Sequence, residues 1–157
     1  NHIVLYVRDA LVHAAFYRDH LYFDTIIEDT GGHNVFRRAP GSDNHHDIAV
    51  FTIGASAGPS AAGSATVGRF PVAWAVGSIV ELITMRNRLA AAGALVGASD
   101  HGVNKSLYCH DPDGLEFEVT WVVPPELWGD MERRAIIEPL DLEADRARFA
   151  ELLGSTD

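Results

Sequence analysis

A repeat within the chain restricts its fold more than any other feature. His2 and Pro71 each open a run rich in β-branched and aromatic residues, and Asp9 and Ser78 each precede a helix-like run; both pairs stand 69 residues apart. His46 and Glu116, which open the last strand-like run of each half, stand 70 apart. Self-similarity at a fixed spacing marks duplicated supersecondary units, and each copy reads β-α-β-β-β. In the first copy His2–Val7 is a strand, and Asp9 caps a helix to about Leu21 with Val12, Ala15, Phe16 and Leu21 at helical spacing. Phe23–Glu28, Val35–Arg38 and His46–Ile53 follow as strands, with Gly31 and Gly32 turning the chain between the first two. In the second copy Pro71–Val76 is a strand, and Ser78 caps a helix to about Ala92 that Gly93 closes. Leu95–Ala98, Lys105–Cys109 and Glu116–Val123 are strands, the last two joined by the tight turn Asp111-Pro-Asp-Gly114.

The predicted class is α+β: two modules, residues 1–53 and 69–123, forming a curved mixed sheet around a funnel with the helices outside. Residues 54–68 are almost all Gly, Ala, Ser, Thr and Pro, too little apolar surface to order themselves, and read as a linker or mobile loop. Pro124-Pro125 breaks the pattern, and 124–157 is a C-terminal extension with a helix over Leu142–Leu153 whose apolar face is Leu142, Phe149, Leu152 and Leu153.

Composition narrows the partners. With 47% hydrophobic and 22% charged residues the chain is globular rather than disordered. A net charge of −10 disfavours a nucleic-acid binder, which needs a basic face to displace counterions, and an anionic membrane surface is an equally poor partner. No apolar run approaches the ~18–20 residues needed to cross a bilayer. The single cysteine, Cys109, cannot close an internal disulfide, and the chain opens straight into a strand with no signal-peptide pattern, so a cytoplasmic location is expected.

Several strings carry a resemblance. His2-Ile-Val-Leu-Tyr-Val-Arg-Asp9 with Ala15-Phe-Tyr-Arg-Asp19 is similar to the opening strand and helix of the vicinal oxygen chelate superfamily, which includes glyoxalase I, bleomycin-resistance proteins and extradiol dioxygenases. Asp100-His-Gly-Val103, Ser106-Leu-Tyr108 and Asp111-Pro-Asp-Gly-Leu-Glu-Phe-Glu118 resemble its closing half, closest to catechol-type extradiol enzymes, as does Asn44-His-His-Asp-Ile-Ala49. The resemblance spans roughly residues 1–123 and implies paired β-α-β-β-β units, a homodimer and a small aromatic substrate or ligand. It also implies a metal held by residues on the first strands and a Glu on the last, here His2 and Glu118. Its second His falls on Pro71, which has no ligating side chain.

Strand alternation puts His2, Val4 and Tyr6 on one face, Glu116, Glu118 and Thr120 on another, and His46 with Ile48 and Val50. Glu118, turned away from the apolar set Phe117, Val119 and Trp121, needs a partner if it is enclosed. Two His and one carboxylate with open positions suit Fe(II) or Mn(II). His46 completes that site as a third ligand, or the site keeps two ligands and binds metal poorly, or only the pocket remains; the resemblance instead implies that His46 is the acid–base group, a role suited by a pKa near neutrality. Tyr108 matches a substrate-binding Tyr, and His101 is the further candidate to hold substrate hydroxyls. The activity implied is extradiol-type cleavage of a catechol-like ring. A metal-free binding protein of the bleomycin-resistance kind is the alternative that Pro71 favours. His13, His20, His33 and His110 read as solvent-exposed. Gly54-Ala-Ser-Ala-Gly58 fits a nucleophile-elbow string, but Pro59 and the glycines after it offer no helix to follow Ser56, so it reads as linker.

Overall fold

The computed structural model describes residues 1–62, 67 and 71–153. The chain divides into two compact units: 1–68 with 111–115, and 69–110 with 116–157. No helix among the described residues is long and apolar enough to cross a membrane.

In unit 1, β1 (Ile3–Val7) leads into α1 (Ala10–Leu21), followed by β2 (Asp24–Glu28), β3 (Asn34–Arg38) and β4 (Ile48–Thr52). The sheet order is β1-β4-β3-β2, with β1 and β4 parallel and the other neighbours antiparallel. Asp9 caps α1 through its carboxylate, which accepts from the N–H groups of Leu11 and Val12. The buried stripe of α1 is Ala10, His13, Ala14, Tyr17 and Leu21, not Val12, Ala15 and Phe16; Val12 is 51% exposed. Two members of that stripe carry polar atoms, so hydrophobic periodicity alone selects the neighbouring face.

Unit 2 repeats the plan: β5 (Val72–Val76), α2 (Ile79–Ala91), β6 (Leu95–Asp100), β7 (Asn104–His110) and β8 (Glu116–Val122) in the order β5-β8-β7-β6. Ser78 Oγ accepts from Glu81 N, and Glu81 Oε2 accepts from Gly77 N at 2.7 Å, a capping box. Gly93 takes φ +69°, the left-handed position that lets Ala94 N donate back to Leu89 O and end α2. The extension adds two short 3-10 turns and α3 (Leu142–Leu153) to this unit. Phe149 packs on Trp121 with ring centroids 4.8 Å apart, and Leu142 and Phe149 are buried. Leu152 is 52% exposed, so the apolar face of α3 is shorter than the sequence suggests; the Leu153 side chain lies outside the described residues.

The strands thus form two four-stranded mixed sheets rather than one. Their internal registers repeat: Ile3 faces Ile48 across the parallel pair of unit 1, and Val72 faces Phe117 across that of unit 2, so the offset is 69 on both strands. Ala49, not a carboxylate, therefore stands in unit 1 where Glu118 stands in unit 2, and His2 corresponds to Pro71. Residues 54–62 are irregular, with Ala55 and Ser56 in a turn and no helix, as expected for the rejected nucleophile string; residues 63–66 and 68 of the expected linker lie outside the described residues.

Candidate functional site

On unit 1, strand alternation decides which residues can meet a ligand. Ile3 and Val7 are buried with Ile48 and Val50, while Val4 and Tyr6 are 43% and 67% exposed. Tyr6, Phe51 and Phe36 share the exposed face and touch edge to face, with centroids 6.2 and 5.8 Å apart. The alternation expected for His46 does not hold, because Ile48 and Val50 point to the buried side. β4 begins only at Ile48, so His46 precedes the strand and is free of its parity. Its ring reaches the aromatic face by another route, 5.1 Å from Phe36 and 4.6 Å from His2. His46 Nδ1 also lies 3.1 Å from His45 Nδ1. Partial burial, then the neighbouring His2 and His45, hold the His46 pKa below the ordinary histidine value, which favours the neutral imidazole at neutral pH.

On unit 2 the corresponding face is polar and networked, half-buried at Asn104, Tyr108 and Glu118 and buried at Ser106 and Thr120. Tyr108 faces Glu118 across the β7–β8 pair, and Ser106 faces Thr120. Ser106 Oγ donates to Glu118 Oε1 at 2.5 Å, and Asn104 Nδ2 donates to Ser106 Oγ at 2.8 Å and to Thr120 Oγ1 at 3.3 Å. The partner that an enclosed Glu118 requires is thus Ser106. Sequence reasoning missed Ser106 and Asn104, although 104, 106 and 108 are alternate positions of one strand, the signal that places all three on one face. His101, in the β6–β7 loop, accepts or donates at both ring nitrogens: Nε2 is 2.8 Å from Tyr108 Oη and Nδ1 is 2.9 Å from Ile136 O. Burial, then the charges of Glu118 and Glu116, raise the Tyr108 pKa, so the phenol keeps its proton.

The structure therefore groups His2 with His46 in unit 1, and His101, Tyr108 and Glu118 in unit 2. Among the described residues no group of three or more His, Cys, Asp or Glu stands together as a ready-made cation site.

A second polar centre in unit 1 was not legible. His13 is buried, 1% exposed, not at the surface as expected; His20 is half-buried, and His33 and His110 are exposed. His13 Nε2 lies 3.3 Å from Asp111 Oδ2, and its Nδ1 is 2.9 Å from Asp9 O. Asp113 accepts from Arg8 N at 2.7 Å and from Arg8 Nη1 at 2.8 Å. The turn at 111–114 is thus an anchor as well as a turn, closed by Gly114 N donating to Asp111 O. Beside it a cleft of about 300 Å³ lies along β1, lined by Val4, Tyr6, Arg8, Ile53 and Leu115 among others. Cys109 is buried with its thiol pushed up to about 12 by desolvation, an inert core residue.

Comparison with known proteins agrees with this architecture. A glyoxylase/bleomycin resistance protein/dioxygenase domain from Frankia sp. EAN1pec matches with a TM-score of 0.65 at 20% identity, covering 80% of this chain and 92% of that one. A genomically encoded fosfomycin resistance protein, FosX, from Listeria monocytogenes matches with a TM-score of 0.58 at 21% identity, over 80% and 94% of the two chains. A lactoylglutathione lyase from Agrobacterium tumefaciens matches with a TM-score of 0.56 at 22% identity, over 82% and 94%. No protein with a curated description matches. The family model described as Glyoxalase/Bleomycin resistance protein/Dioxygenase superfamily matches residues 1–119, and the chain belongs to that superfamily.

Proposed function

We propose that the protein is an extradiol-type dioxygenase that opens a catechol-like aromatic ring. The observation that carries this reading is the Tyr108–His101 hydrogen bond beside a Glu118 already oriented by Ser106. A pocket that only sequesters an apolar ligand has no use for a phenol bonded to an imidazole with a carboxylate across the strand pair from them. The Tyr6, Phe36 and Phe51 rings offer a surface on which a flat aromatic can stack.

Two imidazoles and a carboxylate are the donor types that Fe(II) or Mn(II) takes, although among the described residues His2, His46 and Glu118 do not stand as one group. His2 and His46 stand side by side with His46 neutral, and Glu118 is the carboxylate. Unit 1 has His2 but Ala49, and unit 2 has Glu118 but Pro71, so each unit carries only part of the donor set that the resemblance implies. When bound, such an ion supplies Lewis acidity toward two vicinal hydroxyls and a redox partner for dioxygen. A variant of the Listeria relative was solved with Mn(II) and a dihydroxypropylphosphonic acid, which supports this class of metal and ligand. Ser106 orients Glu118, Tyr108 takes a substrate hydroxyl, and His101 holds Tyr108. A homodimer, as the family resemblance implies, is part of the proposal.

Pro71 favours a second reading, a metal-free binding protein of the bleomycin-resistance kind. Anaerobic loading with Fe(II) or Mn(II) followed by elemental analysis separates the two. About one ion per chain, lost in His2→Ala and Glu118→Gln and bound more tightly in Pro71→His, supports the enzyme. No metal at any loading, with a catechol still raising the melting temperature, supports the binder.

A further inference from the structure

Both ring nitrogens of His101 are engaged, and the chemistry of the partners fixes which one carries the proton. Nδ1 faces the carbonyl oxygen of Ile136 at 2.9 Å, and a carbonyl only accepts, so Nδ1 bears the hydrogen. In the neutral ring Nε2 is then a lone pair, and the Tyr108 hydroxyl, 2.8 Å away, donates to it. The segment carrying Ile136 is itself pinned. Glu138 N donates to Asp100 O at 2.9 Å and Asp100 N donates to Glu138 O at 2.8 Å, a two-way bridge next to His101. Gly102 takes φ +78°, and a Cβ built there would meet Ile136 Cδ1 at 3.0 Å and Met131 Sδ at 3.2 Å. Only glycine lets Met131 and Ile136 lie this close over the loop that carries His101.

We propose that residues 131–138 of the C-terminal extension are a positioning strap, whose Ile136 carbonyl fixes His101 as the Nδ1–H tautomer and so commits the Tyr108 hydrogen to His101. Ile136 is a positioning residue, since it acts through His101. The consequence for ligand choice rests on the reading above. With its hydrogen spent on His101, and one lone pair accepting from the Ser99 hydroxyl, the Tyr108 oxygen meets a ligand as an acceptor through the lone pair that remains. It therefore takes a group that donates, a protonated hydroxyl on an aromatic ring, and rejects an ether or a carboxylate. Glu118, directly across the strand pair, adds negative charge against an anionic ligand.

The test uses the full chain labelled with ¹⁵N-histidine, observed by long-range ¹H–¹⁵N correlation at mildly alkaline pH where imidazoles are neutral. His101 is assigned by the signal lost in His101→Gln. The expected spectrum has a pyrrole-like Nδ1 and a pyridine-like Nε2. It persists in Tyr108→Phe, because the carbonyl sets the tautomer. It shifts toward a mixture with Nε2–H in Glu138→Pro, which removes the bridging N–H, and in Ile136→Gly, which keeps the carbonyl but loosens the strap should the proline variant fail to fold. An Nε2–H tautomer in the parent chain, or a tautomer lost in Tyr108→Phe and kept in both strap variants, overturns the proposal. A second arm compares melting shifts from catechol, its dimethyl ether and benzoate. Catechol alone should bind, about tenfold more weakly when the strap is loosened. The expected tautomer without catechol binding would sink the ring-cleavage reading and leave the strap standing; catechol binding with the wrong tautomer would do the reverse.

Discussion

His13 shows what one buried side chain demands. Burial lowers its pKa, but the Asp111 carboxylate 3.3 Å away, the Asp9 carbonyl and the Asp113 carboxylate at 3.7 Å outweigh that, and the net shift is upward. A histidine whose folded pKa lies above its unfolded value stabilises the fold fully below the unfolded value of ~6.5 and loses that contribution as pH rises through the folded value. Urea unfolding followed from pH 6 upward should therefore show stability falling, with the slope flattened in His13→Gln; a flat profile in the parent chain would refute the pairing. Asp113 works in the opposite sense. Burial raises its pKa, but Arg8 outweighs this and holds it low, so its contribution disappears as pH falls below the ordinary carboxylate range. Ser106→Ala should cost about 1.5–3 kcal/mol, the worth of a hydrogen bond to a charged acceptor, read from a denaturant midpoint; no change would mean that water replaces the hydroxyl without loss. None of these partners was legible in the sequence beyond the requirement that Glu118 have one. A histidine on a helix reads as surface until the tip at Asp111, far along the chain, returns to it.

Elements were easier to read than contacts. Asp9, Ser78 and Gly93 end the helices where the sequence places those ends, because a cap is a local hydrogen bond that needs no tertiary partner. The stripe of α1 and the parity of His46 were misread for one reason: both depend on where a strand or a buried polar residue begins, which local pattern leaves open by a residue. Lys105 is the clearest case of an element held by a contact the sequence hides. It is 1% exposed at its side chain, with Nζ 2.5 Å from Asp100 Oδ1 and 3.5 Å from Asp145 Oδ2, and it lies 5.9 Å from the Phe149 ring centroid. The cation thus ties α3 to the sheet of unit 2. Lys105→Met leaves two carboxylates without their cation and should lower stability by about 3 kcal/mol, with α3 the first segment to exchange its amides. A loss under ~1 kcal/mol, the range of a surface ion pair, would show that the pair is no more than that.

At the scale of the whole molecule the duplicated plan was the most legible feature, since a 69-residue offset survives small errors at every strand end. The proposed homodimer rests on the family resemblance alone. Sedimentation equilibrium at micromolar concentration should return twice the chain mass of 17.0 kDa, and a value at the chain mass would exclude the proposed dimer. The chemistry stands or falls more directly on the oxygen electrode. After anaerobic reconstitution with Fe(II), the protein should consume oxygen with at least one member of a catechol panel and yield a yellow ring-fission product. Tyr108→Phe and Glu118→Gln should each reduce the rate at least tenfold. Oxygen uptake that stays at background across the panel, in protein shown to hold its metal, would contradict the ring-cleavage account.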